Sequence, residues 1–174
     1  MRMSTLILRL AFPTVFAAVF AAGCAAPSMS TVDPDEAIAT VELFFERLDV
    51  DGFDASRTQA LLTDDFRIYE MGVELDWPGM VALFGGYENG RTISTDWTLS
   101  DFRVDTDAGS AHVFYRNHGV FRSLDGNGGV VVTTVDWLES AYLVRRDGVL
   151  KLRFLQSDDV ESSSRTVPAE AAAE

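Results

Sequence analysis

One cysteine and two histidines are all that this chain of 174 residues offers to disulfide or soft-metal chemistry. An internal disulfide, a cysteine-rich zinc site and a Cys/His iron–sulfur set are thereby excluded. Positive charge is scarce too: 14 Lys+Arg stand against 27 Asp+Glu, a formal net charge of −13. A polyphosphate backbone would be repelled across most of that surface and no basic stripe supplies a groove, so nucleic acid is not a partner. No glycine-rich loop joins a strand to a helix, no Ser/His/Asp order stands out, and no motif implies a cofactor. There is no internal repeat. What is present is apolar material, 47% of the residues, which excludes a wholly disordered protein and suffices for one ordinary domain.

Residues 1–23 contain Arg2 and Arg9 and no acid, followed by an apolar run from Leu10 to Ala22. At about 13 residues the run is short of the roughly 20 that span a bilayer, and it ends in small residues, the pattern of a signal peptide. The junction Ala21-Ala22-Gly23-Cys24 resembles the lipobox of bacterial lipoproteins, in which the cysteine thiol is acylated and the chain is cut before it. Ala21, where leucine is commoner, is the one departure. The resemblance implies lipidation of Cys24 and a place in the bacterial cell envelope. Ala25 in place of Asp further implies the outer membrane, facing the periplasm, in a Gram-negative host. A plain secretory signal followed by an incidental thiol is the competing reading. Cleavage would leave about 12 basic and 27 acidic groups, so acyl chains rather than charge would hold the membrane.

Residues 24–33 read as a short tether, 34–160 as the folded domain, and 161–174 as a disordered tail with one apolar side chain larger than Ala. Asp33-Pro34-Asp35-Glu36 supplies a cap, a proline and first-turn acids for a helix with Ile38, Val41, Phe44, Phe45 and Leu48 at helical spacing. Asp54 starts a second, shorter helix. Residues 65–70 and 73–75 alternate as short strands about Gly72, and Asp76-Trp77-Pro78 starts a third helix that Gly85-Gly86 should stop. Segments 97–104, 111–122, 130–145 and 149–157 then read as strands, separated by turn residues such as Asp147-Gly148. Helices first and hairpins after make an α+β order, with the helices on one sheet face.

Two segments, ALLTDDFRIYEMG (60–72) and YLVRRDGVLKLRFLQSD (142–158), resemble motifs of the nuclear transport factor 2-like superfamily, in its SnoaL-like and ketosteroid-isomerase-like branches. The resemblance spans 34–160. It implies a curved antiparallel sheet wrapped around three helices, a cone-shaped, cystatin-like α+β roll with a pocket inside. It places Glu70 where the isomerases carry their carboxylate base, with Phe66 and Ile68 on the same strand face. The family's oxyanion-holding tyrosine falls at Phe44, which has no hydroxyl, and its protonated aspartate falls near Ser140. Registration with the closing strands implies that Ser140, Tyr142, Phe154 and Gln156 face inward with Tyr115 and Asn117.

Glu70 therefore has three readings: catalytic base, pocket-lining or hydrogen-bonding group, and solvated carboxylate at a strand end. His112 and His118 share strand parity but would stand about 20 Å apart, too far to ligate one ion, so no metal site is expected. Asp49 to Asp54 looks like calcium chemistry but lacks a bidentate glutamate at the right spacing, and a helix end followed by a cap explains it. Three functions stay open: a lipid-anchored domain binding a small hydrophobic ligand or a partner without catalysis, an isomerase, cyclase or dehydratase based on Glu70, and a structural homodimer joined through the outer sheet face with a filled cone.

Overall fold

Acidic caps start the helices. The computed structural model describes residues 30–168. Asp33 accepts a hydrogen bond from the Asp35 backbone (3.0 Å) at the start of α1 (Pro34–Glu46). Asp54 accepts from Ser56 and Arg57 (2.9 and 3.0 Å) ahead of α2 (Ala55–Gln59), and Asp76 from Gly79 (2.9 Å) ahead of α3 (Trp77–Leu83). Each such bond satisfies an amide the helix cannot, worth about 1 kcal/mol. Between α1 and α2, Asp49 caps a single 3₁₀ turn, Val50–Gly52, so Asp49 and Asp54 are spent on backbone amides.

Six strands follow the order β2-β1-β6-β5-β4-β3 in one curved, unclosed sheet: β1 Leu62–Glu70, β2 Val73–Leu75, β3 Thr92–Asp107, β4 Ser110–Leu124, β5 Gly129–Arg146 and β6 Val149–Pro168. Met71-Gly72 and Asp147-Gly148 take positive φ at both central positions, the twist that two-residue hairpins demand. A bulge between Ser100 and Arg103, with Asp101 at φ 57°, bends β3 over the helices. The inner face packs on α1, which buries Ala37, Val41, Phe44 and Phe45. Arg145 on β5 clamps Glu36 on α1 through two hydrogen bonds of 2.9 and 2.6 Å. No helix among the described residues is long and apolar enough to cross a membrane.

Four features differ from the sequence expectation. The sheet is mixed, because β1 and β6 run parallel (Ile68 beside Leu155, Glu70 beside Ser157). Such a pair joins segments far apart in the chain, which local periodicity does not reveal. Residues 161–168, expected within the disordered tail, continue β6 against 129–136 of β5; a ladder needs backbone partners rather than apolar side chains, and these residues stay exposed. The expected tether docks at its end: Val32 is fully buried, its amide bonds the Asp107 carbonyl at 3.2 Å, and Thr31 bridges Ala108. Gly85-Gly86 does not stop the helical path, and a further turn, α4 (Gly85–Glu88), follows a break at Phe84.

Candidate functional site

Between α1, α3 and the inner sheet face a part-open cleft of about 140 Å³ remains unfilled. Helix α1 contributes Phe44 and Phe45, the turn after it Leu48, α3 Met80 and Leu83, and the sheet Ile68, Trp97, Phe121, Trp137 and Leu155. Apolar cavities of about 150 Å³ take up benzene, so this volume suits a single ring or a few carbons. The rings are mutually braced: Phe45 lies 5.2 Å from Trp97, and Phe121 stands edge-on to Trp97 at 5.1 Å. The absent side chain of Gly119 makes room for Trp137, since a Cβ there would come within 2.6 Å of the indole ring.

Three polar side chains line this apolar space: Glu70, Glu139 and Ser157. Glu139 is only 7% exposed. The Ser157 hydroxyl donates to its Oε1 at 2.8 Å and the Asn117 amide donates to its Oε2 at 3.3 Å. The Tyr115 hydroxyl adjoins the carboxyl without closing a well-aligned bond. Burial outweighs these donors and pushes Glu139 up to about 7, with the charge of Glu70 adding to the rise. Glu70 is raised as well, first by its own burial and then by the charge of Asp159. Two acids thus line one cleft, Glu139 buried and Glu70 partly so, and both hold a proton more firmly than a free glutamate does. Around them the Asn117 Oδ1 and the indole nitrogens of Trp97 and Trp137 are buried with no hydrogen-bond partner.

Phe44, Ile68 and Glu70 line the cleft, and Phe66 lies beneath it in the core, its ring 6.3 Å from Phe44. Tyr115 and Asn117 point inward but sit behind Glu139 rather than on the wall. The inward placement of Ser140, Tyr142, Phe154 and Gln156 is corrected: all four lie on the outer face. They are true cross-strand neighbours (Ser140 with Gln156, Tyr142 with Phe154), but Tyr115 pairs with Glu139, and directly paired residues share a face. The inner set is therefore Glu139, Ala141 and Leu143. The short motif slipped by one residue, which in a strand exchanges the two faces. The signal that finds Glu139 is the hairpin about Gly126–Gly129: pairing Leu124 with Val130 carries Tyr115 onto Glu139.

His118 is on the outer face, its Nδ1 2.8 Å from Asp136, and His112 stacks on Phe114 at 4.2 Å. Among the described residues no three His, Cys, Asp or Glu side chains gather as metal ligands. Cys24 and the signal-like segment lie outside the described residues.

No family model matches the chain, and no curated protein matches it in sequence. Solved structures do. Hexachlorocyclohexane dehydrochlorinase LinA-type3 from Novosphingobium barchaimii superposes with a TM-score of 0.59 at 16% identity, over 74% of this chain and 90% of that one. A nuclear transport factor 2-like protein from Cytophaga hutchinsonii gives 0.58 at 13% identity, over 74% and 99%. The CaMKII hub of S. rosetta gives 0.53 at 16%, over 78% and 98%. A dehydrochlorinase and a CaMKII hub thus share this architecture, and at such identities the likeness speaks for architecture alone. The chain has the nuclear transport factor 2-like, cystatin-like α+β fold.

Proposed function

We propose that this is a lipid-anchored protein of the bacterial cell envelope whose domain binds a small, largely apolar molecule in the inner-face cleft. The observation that carries the binding is the cleft itself: aromatic walls, a volume of about 140 Å³, and a few convergent polar groups. The anchor rests on the Ala21-Ala22-Gly23-Cys24 junction and on a net charge of −13, which leaves anionic lipid nothing to attract. Mass spectrometry of small molecules released from the full chain after gentle extraction tests the binding; recovery of none from the wild type, or equal recovery from a Trp137→Ala variant, overturns it. Membrane partitioning of Cys24→Ser tests the anchor, which fails if the variant is retained like wild type.

A second reading, catalysis of an isomerase, cyclase or dehydratase type, is favoured by Glu139. The acid that the family resemblance implies near Ser140 has a counterpart one residue earlier in Glu139, which stands in a row with Ser157 and Glu70 on neighbouring strands of the inner face. Glu70 would take a proton while protonated Glu139 donates to a developing oxyanion. Phe44, without a hydroxyl, supplies no second donor. Glu70→Gln separates the readings: under binding it changes affinity modestly, under catalysis it lowers turnover by orders of magnitude. A homodimer through the outer face draws on Phe114 and Leu138, 41% and 48% exposed beside Tyr142 and Phe154. Sedimentation of Leu138→Lys against wild type tests it.

A further inference from the structure

Two acids and no base face the cleft. Glu70 and Glu139 are the ionisable groups among its lining residues, and Asp159 adds a third negative charge beside Glu70. The arginines do not come to them: the six ion pairs among the described residues engage Glu74, Asp101, Asp136, Asp96, Glu36 and Asp65. Trp97 and Trp137, 6.0 Å apart, line the same inner sheet face, Trp137 two residues before Glu139 on β5, and aromatic faces attract cations most strongly where water is excluded. The Asn117 Oδ1, in a side chain only 2% exposed, is an acceptor beside Glu139 with no donor.

We propose that the cleft takes a small organic ammonium ion, its nitrogen held between Glu70 and Glu139 and its hydrocarbon part against Trp97 and Trp137. This rests on the cleft being a ligand site. A bound ammonium supplies the charge that the pair lacks and, if it carries N–H groups, donors for the carboxyls. The net charge of −13 raises the local concentration of cations at the mouth. Binding must also expel the proton that Glu139 holds, so affinity rises with pH through about 7. The groups that bear on that linkage are Glu70 on β1, Glu139 on β5, Asp159 on β6 and Tyr115 on β4, whose phenol burial keeps neutral. Helices α1 and α3 present apolar side chains to the cleft.

Calorimetry of the full chain with benzylammonium and with benzyl alcohol, its neutral counterpart, decides the matter. At pH 8 the ammonium should bind at least ~10-fold tighter than the alcohol, the order expected for a desolvated cation–π and carboxylate pair. Glu70→Gln and Glu139→Gln, both close in shape to the native side chains, should each remove most of that preference while leaving the alcohol within about 2-fold. Lowering the pH from 8 to 6 should weaken the ammonium alone, with heats that depend on the buffer because protons are released. An alcohol that binds as tightly as the ammonium, or a preference that survives both variants, overturns the ammonium assignment and leaves the ligand site standing. Failure of both probes to bind, with no change in tryptophan fluorescence, overturns both.

Discussion

The two faces of the β4–β5–β6 sheet are made from the same strands, yet they are different chemical environments. On the inner face Tyr115, Glu139 and Ser157 lie side by side, buried under α1. One residue along each strand, Arg116, Leu138 and Asp158 stand in a row in or near solvent. The outer acids are typified by Asp101, 72% exposed and paired with Arg116 at 3.2 Å, a contact water weakens to well under about 1 kcal/mol. Glu139 has no cation, little water, and a proton that leaves near 7. What separates them is burial, set by backbone parity, more than the type of residue.

The largest expected effect comes from comparing adjacent residues on β6. Leu155, 1% exposed, should cost about 2–5 kcal/mol when cut to Ala, whereas Phe154, partly exposed against Tyr69, should cost about 1. Urea denaturation reads both, and equal losses would mean that the faces are not distinct. Next comes pH. A carboxyl raised from about 4.3 in the unfolded chain to about 7 in the fold stabilises below the lower value and loses that contribution as pH rises through the upper one, a span of about 4 kcal/mol. Glu139→Gln should flatten the fall between pH 5 and 8, and Ser140→Ala, on the outer face, should not.

Smaller again is Gly119→Ala, which forces the Trp137 ring aside and should cost about 1–3 kcal/mol and weaken ligand binding. Gly52→Ala, with open space around it, should stay within about 0.5 kcal/mol by the same denaturation assay. Smallest is Arg145→Gln. Its partner Glu36 is held below the usual carboxylate range by the Arg145 hydrogen bond, but solvent screens the pair, so urea denaturation should show a smaller loss than for Gly119→Ala.

Much of the fold is written in neighbouring residues. Asp33, Asp54 and Asp76 announce helix starts because a cap acts within three residues, and Asp147-Gly148 announces a hairpin because only two residues decide it. The parallel pairing of β1 with β6 is unreadable by the same means, since Glu70 and Ser157 meet through everything folded between them. The site was half legible. Glu70 stands out because Phe66 and Ile68 alternate with it, but in β5 both alternating sets are largely apolar: Trp137, Ala141 and Leu143 on one side, Leu138, Tyr142 and Val144 on the other. Composition does not choose between them, and Glu139 becomes visible through the register of the β4–β5 hairpin. The polar stretch 161–168 misleads in the opposite direction, because its pairing is made by backbone alone.

The central claim, that Glu139 and Glu70 are desolvated together in an inner-face cleft, is tested most directly by following their side-chain carboxyl carbons through a pH titration by NMR. Glu139 is expected to titrate near 7, moving down when Glu70 is changed to Gln, and Glu70 above the ordinary glutamate range. Two independent titrations near 4.3 would show both groups solvated and contradict the claim.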